Sequence, residues 1–182
     1  MRRQPLAALA ASIHDVRPDE DFREFVGRHQ RAWMRTAYLL TGDAHLAEDL
    51  LQSVLIKVLG KWNGVARLDH PDAYVRKALV NQSISWRRRR SGGEIPSADP
   101  PDRSYSTEDS SVTRLMVRRA LMRLTPRQRA VIVLRYYEDR TERETAEILG
   151  CSVGTVKSQS HHALAVLRQY TGVLTDIEEA RR

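Results

Sequence analysis

Apolar side chains return every three or four positions through most of this chain, and almost nowhere alternate as a strand requires. Phe22, Phe25, Val26, Trp33, Ala37 and Leu40 fall on one face of a first helix. Thr41-Gly42-Asp43 breaks the run, and Asp43 is placed to cap the next helix. In that helix, over 46–62, Leu46, Ala47, Leu50, Leu51, Val54, Leu55, Val58 and Leu59 form a broad apolar stripe. Glu48, Asp49, Gln52, Ser53 and Lys57 occupy its other face. Asp69-His70-Pro71 restarts a helix, with Pro71 suited to the first turn. No acid follows Asp72 there, and the stretch ends in Trp86-Arg87-Arg88-Arg89-Arg90. Cations favour a helix C-terminus, yet four consecutive arginines far exceed what capping needs.

Residues 91–111 change character. Gly92, Gly93, Pro96, Pro100 and Pro101, set among Ser and Asp, leave too little apolar mass to pack. The helical pattern resumes with Val112, Leu115, Met116 and Leu121. Thr125-Pro126 then starts a helix running through Ala130, Val131, Val133, Leu134 and Tyr137. Thr141-Glu142-Arg143-Glu144 reads as a capping box, and Ala146, Ile148 and Leu149 as the inner face of the short helix it opens. Gly150 supplies a left-handed turn. Ser152 caps a further helix whose inward positions are Val153, Val156, Leu164 and Leu167. Gly154, Thr155, Lys157, Ser158, His161 and His162 are left pointing outward. Two helices, a Gly turn and a small polar outer face describe a helix-turn-helix able to enter a major groove. A plain helical hairpin with a solvated face is the simpler alternative.

The expected fold is therefore all-α, with two small helical domains joined by a flexible linker. A loosely ordered segment covers 1–20, the first domain 21–90, the acidic linker 91–111, the second domain 112–170 and a tail 171–182.

Charge placement sharpens the picture. The net charge is +7, but residues 1–90 hold 16 Lys/Arg against 10 Asp/Glu, 91–111 hold 1 against 5, and 112–182 hold 13 against 8. Two basic blocks thus flank an acidic one, as two separate surfaces meeting nucleic acid would. Cys151 is the only cysteine, which rules out an intrachain disulfide and suits a reducing compartment. The apolar run Leu6 to Ala11 is too short for a signal peptide, and no stretch approaches a membrane-spanning length. The chain reads as cytoplasmic, with no membrane insertion. No Gly-rich phosphate loop, carboxylate pair or nucleophile motif suggests an enzyme. Cys151, His161 and His162 lack a fourth ligand and a sensible spacing for zinc. No catalytic residue, metal or cofactor is expected.

Four segments together carry a resemblance. TAEILGCSVGTVKSQSHHALAVLR resembles the promoter-reading motif of extracytoplasmic-function (ECF) sigma factors of the sigma-70 family, and LTPRQRAVIVLRYYEDRTERETA resembles the segment before it. TAYLLTGDAHLAEDLLQSVLIKVLGKW is similar to their region 2 core-binding segment, and PDAYVRKALVNQSISWRRRR to their −10 recognition helix. These cover about 150 residues in the expected order, and TAYLLTGD and VNQSISWRRRR resemble the actinobacterial sigma-E-like subgroup in particular. The chain departs from the family at Gln159, Ser160 and His162, where Arg, Leu and Arg are common. Fixed positive charge is lost there, and the packing of the recognition helix is loosened at Ser160.

The resemblance implies core RNA polymerase and promoter DNA as partners, and leaves open whether an anti-sigma factor holds the chain silent. Asp49, Gln52, Ser53 and Lys57 would meet polymerase. For −35 duplex DNA it implies Thr155, Lys157, Ser158, Gln159 and His161, with Arg140 and Arg143 on the backbone. For the melted −10 strand it implies the 63–70 loop, Asn81 on a flipped base, Trp86 against a base or in the core, and Arg76, Lys77, Arg87, Arg88, Arg89 and Arg90 on phosphates. A helix-turn-helix regulator that is not a polymerase subunit, or a protein-binding adaptor, would leave the 46–62 stripe and the Trp86–Arg90 cluster unexplained. A flexible linker of this length averages roughly 25 Å and stretches to about 70 Å, whereas the two promoter elements lie about 60 Å apart. The free chain is thus able to close up and must open on polymerase.

Overall fold

The structure, a computed structural model, describes the backbone of residues 18–91 and 111–179 and the side chains of 21–86 and 115–170. The linker, most of the N-terminal segment, the Arg87 to Arg90 side chains and those of the tail lie outside it. All regular structure among the described residues is helical.

The first unit is built from α1 (Pro18–Thr41), α2 (Ala44–Leu59), α3 (Trp62–Val65) and α4 (Pro71–Ser91). Asp43 caps α2 as expected, accepting a hydrogen bond from the Leu46 N–H at 2.9 Å. The stripe of α2 packs Leu50, Val54 and Val58 against Trp33, Val75 and Leu79 of its neighbours. Trp62 is a core anchor, and Trp86 lies half-buried against the same cluster. Asp72, in the first turn of α4, accepts a hydrogen bond from the Trp33 indole at 2.6 Å and one from Arg76 Nε at 2.8 Å. One carboxylate thus fixes α4 to α1 while sitting where the helix dipole favours it.

The second unit contains α5 (Ser111–Arg123), α6 (Pro126–Ile132), a π-helical turn (Val133–Tyr137), α7 (Glu142–Leu149) and α8 (Val153–Glu179). Thr125 and Gln128 form a capping box at the start of α6. Arg129, only 1% exposed, turns inward to the carbonyls that end α5: Leu121 at 2.8 Å, Leu124 at 3.1 Å and Met122 at 3.4 Å. A buried guanidinium is tolerable because carbonyls at the end of a helix receive its donors.

The two units close on each other. Arg129 also donates to the Leu40 carbonyl at the end of α1, at 2.7 Å. Leu40 and Val80 of the first unit share an apolar cluster with Ala130, Val131, Leu134, Ala146 and Val156 of the second. Arg118 donates to the Gly42 carbonyl. Gly42 has φ +74°, where a side chain would be strained, and a Cβ there would push Met122 Sδ aside from 2.3 Å, so glycine suits both this turn and this contact.

Three expected inward positions are corrected. Leu59 is 47% exposed, because α2 ends there and it falls beside Ile56 on the outer face. Tyr137 is exposed rather than buried. The helix from Pro126 widens into a π turn at Val133, shown by the Glu138 N–H donating to the Val133 carbonyl at 2.9 Å, which rotates the residues after it. Val153, in the first turn of α8, is partly exposed, and Ala163 takes the buried place farther along.

Replacing Arg129 by Met would leave several buried carbonyls unpaired and should destabilise the chain by about 3 kcal/mol. Urea unfolding followed by circular dichroism checks this; a loss below about 1 kcal/mol would show that the guanidinium is not needed.

Candidate nucleic-acid interface

The helix-turn-helix forms from local chemistry. Thr141 caps α7: its hydroxyl accepts from the Glu144 N–H at 3.2 Å, while Glu144 Oε2 accepts from the Thr141 N–H at 2.7 Å. Gly150 ends α7 in the left-handed region at φ +61°, with its N–H bonded to the Ala146 carbonyl. Ser152 Oγ then accepts from the Thr155 N–H at 3.1 Å, starting α8. The Thr141 hydroxyl, then its backbone N–H, hold the Glu144 carboxyl below its ordinary range, with the charge of Arg140 adding to both.

Anchored by Val156 and Ala163, α8 turns Gly154, Thr155, Ser158, His161 and His162 outward on one exposed face, with Lys157 exposed beside them. Lys157 makes only a loose surface pair with Glu142 at 3.8 Å. Gln159 is half-buried. The His162 Nδ1–H donates to the Ser158 carbonyl at 2.8 Å, which fixes its ring along the helix. Ser160 Oγ is buried without a partner, consistent with the expected loosening at this position. Arg143 is exposed beside the turn, and Arg140 lies 3.7 Å from Glu144.

On α2, Asp49 and Gln52 are exposed and Ser53 is half-buried, while Lys57 Nζ donates to Gln82 of α4 at 2.6 Å. Sequence reasoning passed over Ile56, which is 72% exposed on the same outer face as Asp49, Gln52 and Leu59. The available signal was an aliphatic residue set among polar ones, off the buried stripe.

On α4, Asn81 is exposed and free of the interface, whereas Arg76 and Lys77 are not. Arg76 binds Asp72 and, from the second unit, Glu138; Lys77 Nζ reaches the Glu147 carbonyl at 3.3 Å. Glu138 was not foreseen as part of any site. Among the described residues, no three His, Cys, Asp or Glu side chains are arranged to hold a metal, and no helix is long and apolar enough to cross a membrane.

Comparison with known proteins matches this arrangement. The family model for Sigma-70 region 2 fits residues 25–92, and that for Sigma-70, region 4, fits residues 114–167. An RNA polymerase sigma-E factor of Streptomyces avermitilis is 42% identical over 151 residues, spanning 82% of this chain and 84% of that one. The chain belongs to the sigma-70 family. Within it, this sigma factor is also 30% identical to the ECF RNA polymerase sigma factor SigL of Mycobacterium tuberculosis, over 80% of this chain and 86% of that one. It is thus of the ECF type. Among solved structures it is similar to the sigma factor RpoE of Bartonella quintana, crystallised with the anti-sigma factor NepR. The TM-score is 0.65 and the identity 26%, covering 85% of this chain and 98% of the other. CnrH, solved with the cytosolic domain of CnrY, shares the fold at a TM-score of 0.60 and 22% identity.

The depressed Glu144 carboxyl carries a sign. A folded-state pKa below the unfolded one stabilises the motif above the ordinary carboxylate range, and that stabilisation fades as pH falls through the folded value. Thermal melts of wild type and Glu144→Gln should therefore differ at neutral pH and converge in acid. A difference that does not change with pH would contradict the assignment.

Proposed function

We propose that this alternative sigma factor divides its three tasks among α2, α4 and α8. It directs promoter-specific transcription initiation by core RNA polymerase, as its family membership establishes.

The outer face of α2 meets polymerase. Ile56 and Leu59 supply apolar area, and Asp49, Gln52, Ser53 and Lys57 surround them with polar groups. This mixture suits a protein partner better than DNA. The joint exposure of Ile56 and Leu59 on one face carries the reading, since adjacent apolar side chains ringed by polar ones fit a protein interface. The outward face of α8 reads the −35 duplex: Thr155, Ser158, Gln159 and His161 offer donors and acceptors to base edges. Lys157, Arg140 and Arg143 supply positive charge to phosphates. On α4, Asn81 both donates and accepts at one edge of a flipped −10 base. Arg76, Lys77 and Arg87 to Arg90 hold the melted strand. Trp86, packed on the core, supports the helix rather than stacking on a base.

The assignments also fit a cytoplasmic protein that binds an anti-sigma factor; RpoE of Bartonella quintana was crystallised in complex with the anti-sigma factor NepR. Transcription in vitro with core polymerase on genomic fragments tests the reading. Promoter-specific transcripts should appear and fall at least roughly tenfold when Arg87 to Arg90 become Ala, because several phosphate contacts are lost at once. Undiminished output from that variant would overturn the −10 assignment.

A further inference from the structure

We propose that His162 reads the duplex from the outward face of α8, and that it does so as an imidazolium, taking up a proton when it meets a hydrogen-bond acceptor of the DNA. The inference rests on α8 being the −35 reading helix. It adds a residue to that face and fixes the charge state in which the residue acts.

The ring's own bond sets the chemistry. His162 Nδ1 lies 2.8 Å from the Ser158 carbonyl, one turn back along α8. A carbonyl can only accept, so Nδ1 carries the hydrogen, and Nε2 is left as the bare nitrogen of an exposed side chain. While neutral, Nε2 only accepts. Once protonated it donates and brings a charge, and the Nδ1–H keeps its carbonyl throughout. Proton uptake thus changes what the residue offers without moving it. Arginine, common in the family at this position, would offer donors at every pH; His162 offers its outward donor only when charged.

The surroundings favour His162 over His161 as the site of the proton. The two rings meet edge to face with centroids 5.8 Å apart, so charge on one opposes charge on the other. His161 stands one turn after Lys157, whose ammonium disfavours a second cation, whereas His162 stands one turn after the neutral Ser158. The elements packed on α8 leave this order intact. Glu142 of α7 lies 3.8 Å from Lys157, and Glu144 is held by the Thr141 cap and Arg140. Arg129 of α6 spends its donors on backbone carbonyls, and Arg123 of α5 lies over Tyr170, two turns farther on. Among the described residues neither ring has a carboxylate partner, as His29 has in Asp72 at 3.6 Å. A phosphate oxygen or the O6/N7 edge of guanine supplies the acceptor that the free chain lacks, so binding and protonation favour each other. Lys157 is the only fixed cation in 153–162, and it is shared with Glu142, so the added charge matters to this face. The sign follows: the contribution is complete where free His162 is already charged, and it is lost as pH rises past the range in which DNA holds the proton.

The test uses holoenzyme assembled from the full chain and core polymerase. Fluorescence anisotropy reads its binding to labelled duplex fragments that yield transcripts, and to scrambled duplexes of the same length, at about pH 6 and about pH 8. Wild type is compared with His162→Arg and His162→Gln, both changes at an exposed position. Wild type should match the Arg variant at the lower pH and the Gln variant at the higher one, moving by roughly tenfold between them. A shift on both duplexes assigns the acceptor as phosphate; one confined to the transcribed fragments assigns a guanine edge. A constant ratio of wild type to His162→Gln at both pH values would refute the inference. Lys157→Glu, measured alongside, separates it from the reading beneath it. If that variant binds duplex undiminished, α8 does not read DNA; if it binds weakly while the His162 ratio stays flat, only the proton is wrong.

Discussion

Everything in this molecule hinges on where a few buried polar groups find partners. Neither helical unit is large, and both leave helix ends that must be satisfied. Asp72 ties the start of α4 to Trp33; Arg129 collects the carbonyls that finish α5 and reaches across to the end of α1. Arg76 stands between these systems, bonded to Asp72 on its own helix and to Glu138 on the other unit. The apolar cluster formed by Leu40 and Val80 with Ala130, Leu134 and Val156 supplies area for closure but little direction. Direction comes from the charged and hydrogen-bonded pairs around it.

The same placement separates the functional surfaces. The outward faces of α8 and α2 point to solvent in the closed chain, whereas Arg76 and Lys77 of α4 are bonded to region 4. On the proposed assignments the units must part to reach two promoter elements, since the closed chain holds them side by side.

Much of this could be read in the sequence because the signals are local. Asp43, Thr141 with Glu144, Gly150 and Ser152 each act within three or four residues of themselves, and each does what its position predicts. The apolar stripe of α2 and the outward face of α8 follow from helical periodicity alone. What escaped is nonlocal or irregular. Arg129 and Glu138 read as ordinary surface charges, since nothing near them in the chain announces a partner 89 or 102 positions away. The π turn carries no Gly or Pro to mark it, so helical periodicity alone puts Tyr137 on the wrong face. Leu59 and Val153 continue an apolar pattern past the point where a neighbouring helix is there to cover them.

The most direct test of the account is the distance between the units, free and on the enzyme. Spin labels at His45→Cys and Gln169→Cys, both exposed and outside the proposed contacts, with Cys151 replaced by Ser, allow pulsed dipolar measurement. The free chain should give one short, narrow distribution, and the complex with core polymerase one lengthened toward the separation of the promoter elements, about 60 Å. The same distance in both states, or a broad long distribution in the free chain, would contradict it.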